Sequence, residues 1–174
     1  MKFETDIEIL NREVEQQAGA RPGARLLMTH PGVGPITALA TEVFLGDPSR
    51  FADSKGLASY VGMIPGEHSS GKRQRLGGLT KQGNPLLRFL WGEAGLHAVR
   101  RDPELKRFYR RKLTQKGLGK ARAAVARMLG IRMWIMLRDQ IEYNEFCRRG
   151  QMQQKSGDAC AGMPGPRYAA KVTG

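Results

Sequence analysis

Residues 84–117, NPLLRFLWGEAGLHAVRRDPELKRFYRRKLTQKG, contain two helix starts of the same kind. Asn84-Pro85 and Asp102-Pro103 each put a capping side chain before a proline, which fits the first helical turn because its missing N–H is not needed there. Apolar residues follow the first start at helical spacing: Leu87, Leu90, Trp91 and Ala94. The stretch predicts two consecutive helices, which end near Val99 and near Gly117, and a mainly α fold.

Further helices are predicted on both sides of this stretch. They cover residues 1–18 (with Ile7, Leu10 and Val14 in a thin stripe), 36–45 (with Ile36, Leu39, Ala40 and Val43 on one face), 53–60, 119–138 (with Ala124, Met128, Ile131 and Ile135 toward the core) and 141–148. Val61 to Ile64 is predicted as a short strand. We expect a coiled-coil remnant over residues 1–22, one domain over residues 23–148 and a disordered tail over residues 149–174. Within the domain, a helix-hairpin-helix over 24–45 precedes a basic loop or short hairpin over 65–83 and a bundle of three to four helices over 84–148.

The charge of the chain points to a polyanionic partner. Twenty-nine Lys and Arg residues stand against 16 Asp and Glu among 174 residues, a net charge of +13. Such a field attracts nucleic acid, whereas a membrane surface would favour an amphipathic helix with an uninterrupted apolar face. The sequence also contains no membrane span. Cys147 and Cys160 form no CxxC pair and are predicted to be reduced thiols in the cytoplasm. The three histidines are too scattered for a metal site.

A glycine turn lies between the apolar run Leu26–Met28 and the helix that begins near Ile36. Its sequence, Pro31-Gly32-Val33-Gly34-Pro35, resembles a helix-hairpin-helix, a DNA-binding unit that does not read sequence. Glycines permit a tight turn that leaves backbone N–H groups beside a helix start, where a phosphate oxygen can bind. We therefore predict that Gly32, Val33 and Gly34 contact DNA. The alternative is a turn between packed helices that binds nothing.

The segment from residue 65 to residue 83 is basic and contains two adjacent serines. No carboxylate lies between Glu67 and Glu93. The predicted phosphate-binding residues of this region are Lys72, Arg73, Arg75, Lys81, Asn84 and Arg88. Ser69 and Ser70 are candidate nucleophiles, provided that a base or a metal assists them, and His68 is a candidate proton shuttle. The alternative is that both serines are turn residues.

Five motifs in order carry a resemblance to a known family. They are PGVGPITA at 31–38, GDPSRF at 46–51, YVGMIP at 60–65, SSG at 69–71 and GLTKQGNPLLR at 78–88. This succession resembles the C-terminal domain of the IS110/IS116 insertion-sequence transposases, which are bridge-RNA-guided recombinases, over roughly residues 24–148. The resemblance implies that one of Ser69 and Ser70 attacks a DNA phosphodiester and becomes covalently linked to it. Lys72 departs from the family pattern, which often has a glycine there.

The resemblance also implies that the active site has a second part. Family members hold Mg²⁺ on four acidic residues of an N-terminal RuvC-like domain, which precedes a coiled coil. We expect this chain to begin inside that coiled coil and to bind no metal alone. Its expected partners are DNA, guide RNA, and either further copies of itself or the RuvC-like half. The competing hypothesis is a non-catalytic DNA- or RNA-binding fragment or accessory subunit.

A second basic region runs from Arg100 to Arg132, where 12 Lys and Arg residues stand against Asp102 and Glu104. A helix with charges of one sign is typical of polyanion binding, because solvated helices usually mix signs. Four of these cations, Arg107, Arg110, Arg111 and Lys112, surround Phe108 and Tyr109. The two aromatic residues are predicted to be core residues, with base stacking as the alternative. Trp91 and Trp134 are predicted to lie in the core.

Overall fold

A computed structural model describes residues 2–67 and 76–157 of the chain, and these residues are mainly helical. The helices are α1 (Lys2–Ala20), α2 (Pro22–Met28), α3 (Pro35–Leu45), α4 (Ser54–Val61), α5 (Pro85–Arg101), α6 (Pro103–Lys116), α7 (Leu118–Asp139) and α8 (Tyr143–Gly157). Two short strands, β1 (Pro65–Glu67) and β2 (Leu76–Leu79), pair antiparallel in one hairpin. The predicted mainly α fold with a short hairpin and a helical bundle is confirmed.

The two predicted helix starts are confirmed with the expected caps. The side-chain oxygen of Asn84 accepts hydrogen bonds from the N–H groups of Leu86 and Leu87 at 2.9 and 3.2 Å. One carboxylate oxygen of Asp102 likewise accepts from the N–H groups of Glu104 and Leu105, at 2.8 and 3.0 Å. Because these caps satisfy donors that the helix leaves unpaired, α5 and α6 begin at fixed residues.

The core lies where α7 packs between α5 and α6. Trp91 of α5 rests against Gly130 of α7, and its indole N–H donates to the hydroxyl oxygen of Thr41 in α3 at 3.0 Å. Trp134 of α7 donates to the carbonyl oxygen of Pro48 at 2.9 Å. Both tryptophans are buried, as predicted, and their N–H groups connect the bundle to α3 and to the 3-10 turn that follows α3.

The predicted buried face of α3 is wrong. Ile36 and Val43 are 49% and 50% exposed, and the buried side chains are instead Thr37, Ala38, Thr41 and Leu45. On this buried face, Thr41 supplies the acceptor for the indole N–H of Trp91 in α5. In α7 the burial is broader than predicted: Ile131 and Ile135 are buried, Ala124 and Met128 are half-buried, and every residue from Leu129 to Leu137 is buried. The reason is that α2, α4, α5 and α6 all contact this helix.

The ends of three predicted elements also differ from the structure. Val61 is the last residue of α4, and Gly62 caps the helix in the left-handed conformation (φ 75°). The strand therefore begins at Pro65 rather than at Val61. In α1 the predicted stripe residues Ile7 and Leu10 are exposed, and the buried residue is Ala18. Helix α8 continues to Gly157, through residues predicted as disordered. The remaining tail, 158–174, lies outside the described residues.

Replacing Gly130 with alanine tests the contact between α5 and α7. A Cβ at this position would lie 2.0 Å from a ring carbon of Trp91. We expect Gly130→Ala to lower the free energy of unfolding by roughly 1–3 kcal/mol, because the helices must separate to make room. The matched control is Gly92→Ala in the middle of α5, where a Cβ meets nothing within 4 Å. It should raise the unfolding free energy by up to about 1 kcal/mol through helix propensity. Urea denaturation of both variants measures the difference; equal effects would contradict the proposed contact.

Candidate nucleic-acid interface

The glycine turn between α2 and α3 is packed against α5. Gly32 has a φ of 93°, and a Cβ there would lie 2.4 Å from the backbone nitrogen of Ala98. Only glycine meets both conditions. Val33 is buried beside it, and its N–H donates to the carbonyl oxygen of His30 at 3.1 Å. The turn therefore has one fixed conformation, which is set by its contact with the bundle.

The opposite side of the turn presents backbone donors to solvent. Gly34 is the extended residue before α3, and Pro35 is the first residue of the helix. Among residues 2–67 and 76–157, no acceptor receives the N–H of Gly34 or of Ile36, and both residues are exposed. These amides lie at the positive end of the helix dipole. The arrangement can accommodate a phosphate oxygen.

A carboxylate that the sequence reasoning missed holds the two helices of the turn together. One side-chain oxygen of Glu42 in α3 accepts the N–H of Ala24 at 2.9 Å, which caps the start of α2. A Cβ at Gly23 would lie 2.8 Å from the other oxygen of the same carboxylate. The glycine at position 23 therefore leaves space for the capping carboxylate.

The base of the hairpin lies against the end of α4. The N–H of Lys81 donates to the carbonyl oxygen of Gly62 at 3.1 Å. A Cβ at Gly83 would lie 2.4 Å from the carbonyl oxygen of Tyr60, so the two chain segments touch main chain to main chain. The motifs at 60–65 and 78–88 are therefore neighbours in space and together fix the exit of the hairpin.

Three of the predicted phosphate-binding residues lie at this junction. Arg88 is half-buried and donates from its guanidinium to the carbonyl oxygen of Val61 at 3.0 Å, at the C-terminus of α4. Asn84 uses its side-chain oxygen to cap α5. Lys81 is exposed and has a positive φ of 55°. Arg88 and Asn84 thus have structural partners, and their contact with phosphate stays a prediction.

The candidate nucleophiles lie outside the described residues. This applies to Ser69 and Ser70 and also to His68, Lys72, Arg73 and Arg75. The described strands bracket them, because Glu67 is paired with Leu76 in the hairpin. The structure therefore fixes the two points between which the serine segment runs, and the roles of its residues stay predictions.

The exposed basic surface of α6 includes Arg107, Arg110 and Arg111. Phe108 and Tyr109 are half-buried, so their prediction as core residues is confirmed only in part. Arg111 and Lys112 place their charged groups 5.7 and 5.6 Å from the Phe108 ring centre. This helix presents cations beside an aromatic ring.

Arg132 does not belong to that surface, although the sequence analysis included it in the basic region predicted to bind a polyanion. It is buried and forms ion pairs with Asp102 and with Glu104, the latter at 2.7 Å. Tyr143 of α8 donates its hydroxyl to Asp102 at 2.9 Å. Burial alone would raise the pKa of Asp102. The positive charge of Arg132 and the hydrogen bonds that the Asp102 carboxylate accepts instead hold this pKa below its usual value. A buried cation must be paired, and this one is.

The chain matches the Transposase IS116/IS110/IS902 family over residues 24–110, which span the glycine turn, the hairpin, α5 and part of α6. The chain belongs to this family. It is 31% identical over 149 residues to the transposase for insertion sequence element IS1111A of Coxiella burnetii, covering 78% of this chain and 41% of the relative. It is 38% identical over 90 residues to a probable family 20 transposase of Pseudomonas aeruginosa, covering 51% and 26% of the two chains. It is 36% identical over 108 residues to a pilin gene-inverting protein of Moraxella lacunata, covering 60% and 33%.

Each relative is much longer than the region that it shares with this chain. The chain spans 41%, 26% and 33% of their respective lengths. Within residues 2–67 and 76–157, no three His, Cys, Asp or Glu side chains are grouped so that they could bind the metal that the family resemblance implies. The described residues therefore do not form a binding site for a divalent cation. None of the described helices is long and apolar enough to cross a membrane.

His30 connects the glycine turn of the transposase domain to α8. Its ring is buried with its centre 4.5 Å from that of Tyr143, and Nδ1 lies 3.0 Å from the carbonyl oxygen of Pro31. Burial lowers the pKa of His30 from 6.5 to about 4. The imidazole is therefore neutral at pH 7 and serves as packing beneath the turn.

Removing His30 should change how stability depends on pH. Below pH 6.5 the unfolded chain takes up a proton at this histidine, whereas the folded chain does so only below about pH 4. The free energy of unfolding should therefore fall by about 3 kcal/mol between those values as the pH is lowered. His30→Phe keeps a ring against Tyr143 and should flatten this part of the profile, measured by urea denaturation from pH 7.5 to pH 4. An unchanged slope would contradict a buried neutral imidazole.

Proposed function

We propose that this chain is the DNA-holding, serine-bearing part of an insertion-sequence transposase that cleaves and transfers DNA strands. The observation that carries the proposal is the fixed glycine turn, whose outward amides lie in the region that matches the family. The net charge of +13 supports a polyanionic partner, and the family supports DNA as that partner.

The turn suits contact with a DNA backbone and not with base edges. Its exposed donors include the main-chain N–H groups of Gly34 and Ile36, which have no acceptor among residues 2–67 and 76–157 and which carry no information about base sequence. Gly32 is held against Ala98, so these donors are positioned before DNA arrives and little conformational entropy is lost on binding. The turn therefore sets the position of a duplex relative to the hairpin.

The serine segment supplies the proposed chemistry. The hydroxyl of Ser69 or Ser70 gives up its proton and its oxygen forms a bond to phosphorus, while one ester bond of the DNA strand breaks and the released oxygen takes up a proton. The resulting serine ester conserves the energy of the phosphodiester, so a second strand end can displace the serine. Lys72, Arg73 and Arg75 stabilise the charge on phosphorus, and His68 is the proposed proton carrier.

The proposal includes partners beyond the described residues. By family resemblance, the carboxylates that hold Mg²⁺ are supplied by a RuvC-like part outside the matched region, and a guide RNA selects the target. The exposed cations of α6 offer a surface for that RNA or for DNA. Further copies of the chain have an exposed apolar stripe on α1 available to them, which includes Ile7 and Leu10.

Trapping the serine ester tests the reaction. The chain is incubated with DNA carrying the ends of the element, guide RNA, magnesium and a separately supplied RuvC-like part, and protein covalently attached to DNA is measured on denaturing gels. We expect an adduct that one of Ser69→Ala and Ser70→Ala abolishes while the other retains it. Loss of the adduct with unchanged DNA binding identifies the nucleophile.

Two outcomes would change the proposal. Retained DNA binding with no adduct under any pairing would leave a non-catalytic binding module as the function. Affinity that stayed flat between about 50 and 200 mM salt would contradict phosphate contact altogether, because counterion release makes such binding steeply dependent on salt.

A charge placed beside the free amides tests the role of the turn. Ile36→Glu puts a carboxylate in the first turn of α3, where it suits the helix dipole but repels phosphate. We expect duplex affinity to fall about tenfold, the size of one or two lost charge-assisted hydrogen bonds. Val43→Glu is the matched control, because it makes the same charge change at a similarly exposed residue near the other end of α3. Equal losses for both variants in a fluorescence anisotropy titration would show a general charge effect and exclude the turn as the contact.

A further inference from the structure

A groove lies between β2, α5 and α7, beside the base of the hairpin. It is open to solvent and has a volume of about 300 Å³. Its apolar lining includes Met63, Leu79, Phe89 and Leu96. The space is about that of a small planar molecule, and one long wall is a helix of the family-matched region.

Phe89 is the unusual member of this lining. It is 63% exposed, although its neighbours Leu87, Leu90 and Trp91 in α5 are buried. The ring of Phe89 therefore lies outside the buried face of α5 and is available for contact. An exposed ring that lines a groove offers a flat apolar surface on which another flat group can stack.

Cations outnumber acids around that ring. Lys81, Arg88 and Arg122 line the groove, and Glu93 is the carboxylate among its lining residues. Lys81 and Arg122 are exposed, whereas Arg88 is half-buried with one donor on the carbonyl oxygen of Val61. Aromatic stacking combined with positive charge is the chemistry that binds single-stranded nucleic acid.

Gly92 keeps the groove open. It lines the groove in the middle of α5, and a Cβ at this position would meet nothing within 4 Å. Glycine destabilises the interior of a helix relative to alanine, and here no close contact requires it. Gly92 follows Phe89 by nearly one helical turn. Because Gly92 has no side chain, it leaves space in the groove near the Phe89 ring.

We propose that this groove binds one unpaired nucleotide, with its base stacked on Phe89 and its phosphate near Lys81 and Arg122. This inference rests on the proposed function, and it adds a site that distinguishes an unpaired base from a paired one. The ligand is defined by a flat base next to a phosphate, which an unpaired nucleotide in DNA and one in RNA both supply. The site would hold the strand at a nucleotide displaced from its duplex.

Anisotropy titrations of the full chain against matched duplexes test the proposal. The probes are a fully paired DNA duplex, the same duplex with one unpaired thymidine, and the same duplex with one unpaired abasic nucleotide; a ribonucleotide set repeats the comparison. We expect the thymidine bulge to bind at least about fivefold more tightly than the other two, which is the lower range for stacking one base on an aromatic side chain. The set that shows the preference identifies the source of the nucleotide.

Variants separate stacking from folding and from charge. Phe89→Ala should abolish the preference for the unpaired base and leave affinity for paired DNA within about twofold, whereas Phe89→Trp should keep the preference. Leu86→Ala is the control, because it removes an exposed side chain of α5 that does not line the groove. Gly92→Leu should also abolish the preference by filling the groove, while Gly150→Leu, at another open glycine within a helix, should not.

The outcomes distinguish this inference from the proposed function. Salt-dependent binding of paired duplex with no preference for the thymidine bulge would overturn the groove site and leave the proposed function standing. A preference that the abasic bulge shares, or that Phe89→Ala retains, would also overturn it, because the bend or the phosphate would then be the feature recognised. Failure to bind any of the oligonucleotides would contradict both.

Discussion

The indole of Trp91 in α5 contacts both α7 and α3. Its ring fills the space that a side chain at Gly130 would take, and its N–H is satisfied by Thr41. The ring thus sets the separation of α5 from α7, and the hydrogen bond sets the position of α3 against α5. A buried indole N–H without an acceptor would destabilise the fold, so the position of α3 is determined by a polar contact as well as by packing.

Helix α5 contacts the glycine turn and the base of the hairpin, and it forms one wall of the groove. Near its C-terminal end, Ala98 presses on Gly32 and fixes the glycine turn. At its first turns, Arg88 reaches the end of α4 and helps to hold the base of the hairpin. Between the two lie Phe89 and Gly92, which line the groove. Because one rigid helix spaces these features, a duplex on the turn and a nucleotide in the groove would be held in a fixed relation.

Local signals in the sequence predicted the elements better than their faces. The caps at Asn84 and Asp102 act within one helical turn, so a single sequence reveals them. The buried face of α3 depends on Trp91, a partner 50 positions from Thr41, and hydrophobic periodicity favoured Ile36 and Val43 instead. Arg132 was misplaced for the same reason, since only the fold brings Asp102 and Glu104 beside it. The family motifs predict the serine site, which lies outside the described residues, whereas the groove at Phe89 has no local sequence signature.

The ion pair of Asp102 and Arg132 has a consequence for how this gene can drift. Losing Arg132 alone would leave the buried Asp102 carboxylate without its cation, and losing Asp102 alone would remove one of the carboxylates that pair with Arg132. Asp102 also caps α6 and accepts the hydroxyl of Tyr143, so exchanging both residues for apolar ones would leave these donors without their acceptor. A substitution of either residue alone should therefore lower the free energy of unfolding by about 3–5 kcal/mol. A copy of the element whose protein must still fold is therefore expected to keep both codons, and a copy that has changed only one of them encodes a less stable protein.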